Sequence, residues 1–204
     1  MIDQTVSDIP IERKMQLIAK MIGSHDCRGI DRDIFHIQHH QYDYHQNLHY
    51  GLKERFHELN VALQTFVNEM RNQNKWSDIT IIISSDFGRT LTPNSSDGTD
   101  HGWSGHSVVM GGSVDGGRIL GEYPSNLRLN GPLNVGRGRL IPTRPWESIW
   151  SPIIQWMGVE KANELDNVLP NRKSFPSNLM IQKSHLYKPD NQITPKCMDE
   201  GMHI

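Results

Sequence analysis

The sequence predicts an α/β fold with a mostly parallel sheet flanked by helices. Three observations predict it: a β-branched apolar run at residues 79–84, a second β-rich run at residues 33–38, and a helical stripe at residues 52–70 between them. A strand, a helix and a second strand of these lengths indicate a βαβ unit with parallel strands. In such sheets ligands bind at the carboxyl ends of the strands, so we expect the functional site in the loops there.

Helices are predicted where apolar residues recur at three- and four-residue spacing. This spacing covers residues 11–22, residues 52–70 and residues 146–157, and the second stretch is the clearest of the three. Pro152 falls inside the third stretch, where it removes one hydrogen bond and either kinks the helix or starts a second short one.

The remaining segments predict one more strand and several loops. Residues 107–110 indicate a brief strand, whereas residues 91–106 and the Gly-rich residues 111–139 have the composition of loops. We therefore expect a single partial domain over residues 11–180, followed by a loose tail at residues 181–204.

Length and charge exclude several classes of function. A chain of 204 residues suits one domain or part of one. Its 21 basic and 23 acidic residues give a net charge of −2, which excludes the basic footprint of a nucleic-acid-binding protein. The longest aliphatic runs have three residues, whereas a membrane-spanning helix needs roughly 18. We expect neither a nucleic-acid partner nor a membrane span.

Histidine is concentrated in one part of the chain. Of the 11 histidines, seven lie between residues 25 and 57: His25, His36, His39, His40, His45, His49 and His57. Histidine is the commonest metal ligand in proteins and the usual proton carrier near neutral pH. A histidine cluster interleaved with carboxylates therefore predicts a functional site.

Residues of the metal-ligand type lie beside each of the three predicted strands. They are Asp43, His45 and His49 after the first strand, Asp86 after the second, and Asp100 with His101 before the third. If these strands are parallel neighbours, the side chains converge on one edge of the sheet. A set of imidazoles and carboxylates suits a transition metal better than calcium or magnesium, so we expect a divalent metal, zinc or manganese first.

Two interpretations remain open for each of these residues. His45 and His49 lie four positions apart and share one helix face if a helix begins near residue 44. Asp43 would then be either a ligand or the N-cap of that helix. His49 could equally be a surface residue, and Asp86 and Asp100 could be turn residues.

A series of short motifs runs along most of the chain. They are Asp43-Tyr44-His45, Ser85–Thr90, Asn94, Gly98–Gly102, Gly111-Gly112 with Gly116-Gly117, Gly136–Thr143, Trp156–Val159 and Leu169–Arg172. In this order, from about residue 11 to residue 180, they resemble the signature of the domain-of-unknown-function 1501 family. That family is similar to the alkaline phosphatase and sulfatase superfamily, whose members bind one or two metal ions at the strand ends of an α/β sheet.

The resemblance implies an alkaline-phosphatase-like fold and a metal-dependent hydrolase of phosphate or sulfate esters, with a small anionic ester as substrate. It implies that Asp43 and His45 or His49 act with His101 at one metal, and that Asp86 serves a second. Phosphatases of the superfamily tend to have His directly after that second Asp. This chain has Phe instead, so the second metal site is expected to be weaker or absent.

Arg89 follows the second predicted strand and is the candidate catalytic residue, as a clamp on the oxygens of the anionic substrate. It could equally pair with a structural carboxylate. In the superfamily the nucleophilic Ser or Thr comes from the first strands, which would lie upstream of Met1. The resemblance therefore implies that this chain is the C-terminal portion of the full domain.

Two expectations follow from that portion. The alternative function is a non-catalytic remnant of the fold that acts as a binding or structural domain. Family members are typically exported, which implies a periplasmic or extracellular location, although Met1–Pro10 has no export signal.

Overall fold

The computed structural model describes residues 10–189 and has a mixed α/β structure of helices and small antiparallel sheets. The helices are α1 (Ile11–Gly23), α2 (His25–Arg28), α3 (Leu48–Asn72), α4 (Glu147–Trp156), α5 (Ala162–Val168) and α6 (Lys183–Leu186). The strands are β1 (Thr80–Ile83), β2 (Gly88–Pro93), β3 (Thr99–Gly102) and β4 (Val108–Gly111). Short 3₁₀ helices cover Trp76–Asp78, Pro170–Ser174 and Ser177–Leu179.

The chain divides into two compact units. Within the described residues, unit 1 comprises residues 10–73, 85–106 and 123–143, and unit 2 comprises residues 74–84, 107–122 and 144–189. Each unit contains one two-stranded sheet: β2 with β3 in unit 1, and β1 with β4 in unit 2.

Unit 1 is built on the packing of α1 against α3. The apolar spacing that predicts these helices places one stripe of each against the other, and the buried residues are Ile11, Met15, Ala19, Ala62, Phe66 and Met70. The predicted helices at residues 11–22 and 52–70 are confirmed, with α3 starting four residues earlier than its stripe.

The sheet of unit 1 is a hairpin that the sequence does not predict. Residues 91–106 have loop composition, yet β2 and β3 pair antiparallel with Arg89 opposite His101. The turn between them is closed by Asn94, whose backbone N–H donates to the Gly98 carbonyl at 2.9 Å. Its side-chain oxygen accepts from the Ser96 and Gly98 N–H groups. Asn94 and Gly98 are therefore typical turn residues, as the composition indicates. The strands on either side were not predicted because they are polar and lack an alternating apolar pattern.

Unit 2 holds an apolar core around α4 and the β1–β4 sheet. Val114, Ile153, Leu186 and Tyr187 are buried at its centre. α4 continues through Pro152, which is itself among the most deeply buried side chains, so the helix predicted at residues 146–157 is confirmed as a single helix.

The expected parallel sheet is wrong for the described residues. Both strand pairs there are antiparallel, and residues 33–38 are extended without forming a strand. Residues 33–38 alternate between half-buried and exposed positions, with Ile34 82% exposed, but no described strand pairs with them. Without this strand there is no βαβ unit, and the apolar run at residues 80–83 pairs instead with the later apolar run of β4.

The predicted tail covers residues 181–204. Residues 181–189 contain α6 and the buried residues Leu186 and Tyr187, which belong to the core of unit 2. Residues 190–204 lie outside the described residues.

Candidate metal centre

Three of the predicted ligands meet in unit 1. The Asp43 Oδ1 atom lies 2.9 Å from His101 Nε2 and 3.1 Å from His45 Nε2, and the two Nε2 atoms are 3.3 Å apart. All three side chains are exposed. Among the described residues this is the one group of three or more His, Cys, Asp and Glu side chains whose ligand atoms converge in this way.

The hairpin turn fixes the backbone at His45. The Asn94 side-chain amide donates to the His45 carbonyl at 2.8 Å. Gly98 approaches the same peptide so closely that an added Cβ would lie 2.2 Å from the His45 carbonyl carbon. Only glycine fits there, because any other residue would push the turn away from the segment that carries two of the three converging side chains.

Arg89 ties the segment before α3 to the hairpin. Its guanidinium donates to the backbone carbonyls of Tyr42 and Tyr44, and also to that of Thr99 on β3. It forms an ion pair with Asp43 as well. These four bonds hold the Asp43 backbone and carboxylate in one position, because a planar guanidinium offers its donors in a fixed fork.

His101 is oriented by its neighbours on the hairpin. Its imidazole stacks on the Phe87 ring, with the centroids 4.1 Å apart and the planes inclined by 15°. The antiparallel register places His101 opposite Arg89, so both residues lie beside Asp43. The stacked ring limits the rotation of His101 and directs its Nε2 atom toward Asp43.

Asp100 contacts His45 on the far side of the imidazole. Its Oδ1 atom lies 3.4 Å from His45 Nδ1, the ring nitrogen that faces away from the three converging atoms. Its Oδ2 atom accepts a hydrogen bond from Arg137. Metal-bound histidines usually donate their second ring N–H to a carboxylate, and Asp100 occupies that position.

The electrostatics favour charged carboxylates at both aspartates. Partial desolvation raises the pKa of Asp43, but the hydrogen bonds and positive charge of His101 and Arg89 outweigh it and leave the pKa below its ordinary value. For Asp100 desolvation again raises the pKa, and the hydrogen bonds from Asn94 and His45 with the charge of Arg137 bring it below its ordinary value. Asp43 is therefore available as an anionic ligand at neutral pH.

The donor set fits a divalent transition metal. Ligands about 2.0–2.1 Å from a tetrahedral zinc ion lie about 3.3 Å from one another, and the atoms of Asp43, His45 and His101 are 2.9–3.3 Å apart. Two imidazole nitrogens and one carboxylate oxygen are also the ligand types of zinc and manganese proteins rather than of calcium sites.

Three predicted ligands lie outside this group of three: Asp100, which contacts His45 Nδ1, and also His49 and Asp86. α3 begins at Leu48 after Asn47, whose φ of +49° ends the extended segment, so His45 precedes the helix and does not share a face with His49. Asn47, and not Asp43, therefore takes the N-cap position of α3. His49 is exposed on the first turn of α3, and Asp86 is exposed just before β2.

Two residues whose place in the site the sequence did not reveal are Asn94 and Arg137. Asn94 holds the His45 backbone, and Arg137 pairs with Asp100 from 37 residues further along the chain. The Gly136-Arg137-Gly138-Arg139 motif was visible in the sequence, but nothing in it indicated which carboxylate it would meet.

None of the described helices combines the length and the apolar composition that a membrane span needs.

Comparisons with known proteins show the family of the chain. No curated protein and no solved structure matches the chain. The family model described as "Protein of unknown function (DUF1501)" matches residues 8–127, a range that includes Asp43, His45 and His101. Because this match covers more than half of its length, the chain belongs to the DUF1501 family.

Proposed function

We propose that this chain binds a divalent cation, zinc or manganese, through Asp43, His45 and His101, and hydrolyses a phosphate or sulfate ester there. The observation that carries the proposal is the convergence of one carboxylate oxygen and two imidazole nitrogens within 3.3 Å of one another. Such a group of unlike donors, contributed by segments far apart in the sequence, is the usual arrangement of a transition-metal site.

The surroundings of His45 support the metal part of the proposal. Asp100 accepts on the Nδ1 side, which favours the tautomer with its proton on Nδ1 and leaves the Nε2 lone pair facing Asp43 and His101. Arg89 supports the same arrangement, because it bonds to Asp43 Oδ1, the oxygen beside the two imidazoles, and so holds the carboxylate in place.

The choice of reaction rests on the resemblance to the alkaline phosphatase and sulfatase superfamily. A cation bound here would polarise the ester oxygen as a Lewis acid and stabilise the negative charge that develops during hydrolysis. The protein residues have separate parts: Asp43, His45 and His101 hold the cation, Asp100 orients His45, and Arg89 positions Asp43. The ester and the water that hydrolyses it would enter from solvent, and the alcohol and the free anion would leave to it, because all three ligands are exposed.

Metal binding is tested first. After treatment with a chelator, the purified chain should take up one equivalent of zinc or manganese, and His101→Ala should lose most of that affinity. His57→Ala is the matched control, because His57 is an exposed histidine on α3. His49→Ala tests the ligand that the i, i+4 spacing proposed, and we expect it to bind metal as the unsubstituted chain does. Full retention of metal by His101→Ala would refute the proposal.

Turnover is tested separately with generic aryl phosphate and aryl sulfate esters. We expect hydrolysis that a chelator abolishes and added metal restores. The second candidate is a domain that binds metal without turnover. It is favoured by the composition around Asp43, since the side chains that bond to it are two imidazoles and a guanidinium, none of which is a hydroxyl nucleophile. Stoichiometric metal binding with no hydrolysis of either ester would decide for this candidate.

A further inference from the structure

The loop at residues 134–139, which carries Arg137 and Arg139, reaches the candidate metal centre. Arg137 donates to Asp100 Oδ2, and Arg139 donates from Nε to the His101 carbonyl at 3.2 Å. The two arginines therefore contact the two β3 residues that carry or orient the proposed ligands. Neither arginine belongs to the group of three that would hold the cation.

The loop is held in one conformation. The side-chain oxygen of Asn134 accepts from the backbone N–H groups of Gly136 and Gly138, at 2.9 Å and 3.2 Å. The Gly138 carbonyl accepts from Leu91 N–H on β2 at 3.0 Å. An added Cβ on Gly138 would lie 2.7 Å from that same nitrogen, so this contact requires glycine.

Arg137 itself has a strained backbone. Its φ is +56°, between Gly136 at +101° and Gly138 at +76°. A left-handed conformation is costly for an arginine and persists only where the surrounding structure imposes it. The consequence here is a long basic side chain held at the edge of the site, rather than a glycine that would adopt the same turn without cost.

Arg137 and Arg89 differ in how much of each side chain is exposed. The Arg89 side chain is 21% exposed and makes four hydrogen bonds within the protein. The Arg137 side chain is 57% exposed and pairs with Asp100. Exposed ion pairs contribute little to stability, so Arg137 can exchange Asp100 for a more highly charged anion at a small cost in free energy.

We infer that Arg137 binds the anionic group of the substrate and so determines the specificity of this site for phosphate or sulfate. The inference rests on the proposed function. The guanidinium touches Asp100, and the other oxygen of Asp100 touches His45, so only one carboxylate separates Arg137 from the cluster. A planar guanidinium can contact two oxygens of a tetrahedral anion at once, which a lysine cannot.

The test uses inorganic phosphate and inorganic sulfate as probes, titrated calorimetrically into the full chain with and without zinc. We compare the unsubstituted chain with Arg137→Gln and Arg137→Lys. Arg32→Gln is the control, because Arg32 also forms an exposed ion pair, with Asp31. We expect the dissociation constant for phosphate to rise about tenfold or more in Arg137→Gln, since bonds to charged groups are the strong ones. Arg137→Lys should give a smaller rise, and Arg32→Gln none.

Zinc affinity, measured by competition with a chelating dye, separates the two proposals. Unchanged zinc affinity with weakened phosphate binding supports the role of Arg137. Equal phosphate affinity in Arg137→Gln and the unsubstituted chain overturns it while the metal proposal stands. A joint loss of zinc and phosphate also overturns it, because Arg137 would then act only through Asp100. If the unsubstituted chain binds no zinc but its phosphate affinity depends on Arg137, the proposed function fails and this inference holds.

Discussion

The two sheets of the described residues each consist of two antiparallel strands, but their chemistry is opposite. β1 and β4 are four residues each, antiparallel and mostly apolar, and Ile82 and Val109 pack on the core of unit 2. β2 and β3 are also antiparallel, but they carry Arg89, Asp100 and His101 into the exposed cluster of unit 1. One two-stranded sheet therefore buries apolar surface, and the other presents polar side chains.

The two sheets are held in place by different interactions. The apolar sheet is fixed by burial, since its partners include the stacked rings of Trp156 and Tyr187, with centroids 5.4 Å apart. The polar sheet is fixed by directed bonds from Arg89 and Asn94 and by close glycine contacts. Changes in the first region should therefore alter stability, and changes in the second should alter ligand binding.

The largest effect is expected in the apolar core. Ile153 is 5% exposed at the centre of unit 2, so Ile153→Ala should lower the free energy of unfolding by about 2–5 kcal/mol. Urea unfolding followed by tryptophan fluorescence measures this, and Ile153→Val should cost only about 0.5–1.5 kcal/mol. The zinc affinity of the folded protein should not change. A strong loss of zinc affinity in either variant would contradict the division between the two regions.

The next effect concerns Asp100 in the polar region. Asp100→Asn removes the carboxylate that faces His45 Nδ1, and we expect zinc affinity to fall about 10–100-fold with little loss of stability. Competition with a chelating dye measures the affinity. Asp97→Asn is the matched control, because Asp97 is exposed in the turn of the same hairpin. Equal affinities in the two variants would show that Asp100 does not orient His45.

Tyr187 gives a smaller effect with a distinct pH dependence. Burial raises the pKa of Tyr187 to about 12, although its hydrogen bond with Thr80 acts in the opposite direction. The unfolded chain ionises this phenol near pH 10, so the stability it contributes is complete below about pH 10 and is lost as the pH rises toward 12.

Tyr187→Phe tests this directly. It should cost about 1 kcal/mol near neutral pH, through the lost hydrogen bond to Thr80. It should also make the alkaline decline in the free energy of unfolding shallower. The measurement is urea unfolding at several values between pH 8 and pH 12. An identical alkaline decline in both proteins would place the ionising group elsewhere.

The smallest effect is expected at acidic pH. Desolvation raises the pKa of Asp43, but its bonds to His101 and Arg89 lower it overall, so the metal-free protein gains stability from this carboxylate above pH of about 4. That gain is lost as the pH falls through the lowered pKa. In the presence of a chelator, Asp43→Asn should therefore show a flatter acid dependence of thermal unfolding, and Asp97→Asn provides the baseline. A steeper acid dependence in Asp43→Asn would reverse the sign of the effect.

Local patterns in the sequence predicted local structure well. The stripes that form α1, α3 and α4 are confirmed because a helix depends on neighbours three and four positions away. Strand pairing depends on residues far apart in sequence, and here the prediction failed. Residues 33–38 have strand composition but no partner strand, and β1 pairs with β4 rather than with a parallel neighbour.

The candidate site shows the same limit. The motifs around Asp43, His45 and His101 indicated ligand chemistry, and the structure brings these three together. The grouping of His45 with His49 depended on a helix start near residue 44, and the left-handed Asn47 moved that start to Leu48. The i, i+4 spacing cannot report this, because it does not say at which residue the helix begins.

The cluster also joins distant parts of the chain. The Asp43 and His101 atoms that lie 2.9 Å apart come from positions separated by 58 residues. Closing a loop of this length costs conformational entropy, and a cation held by residues at both ends would offset part of that cost. The site would then act as a removable cross-link, and unit 1 should refold faster in the presence of zinc than in the presence of a chelator.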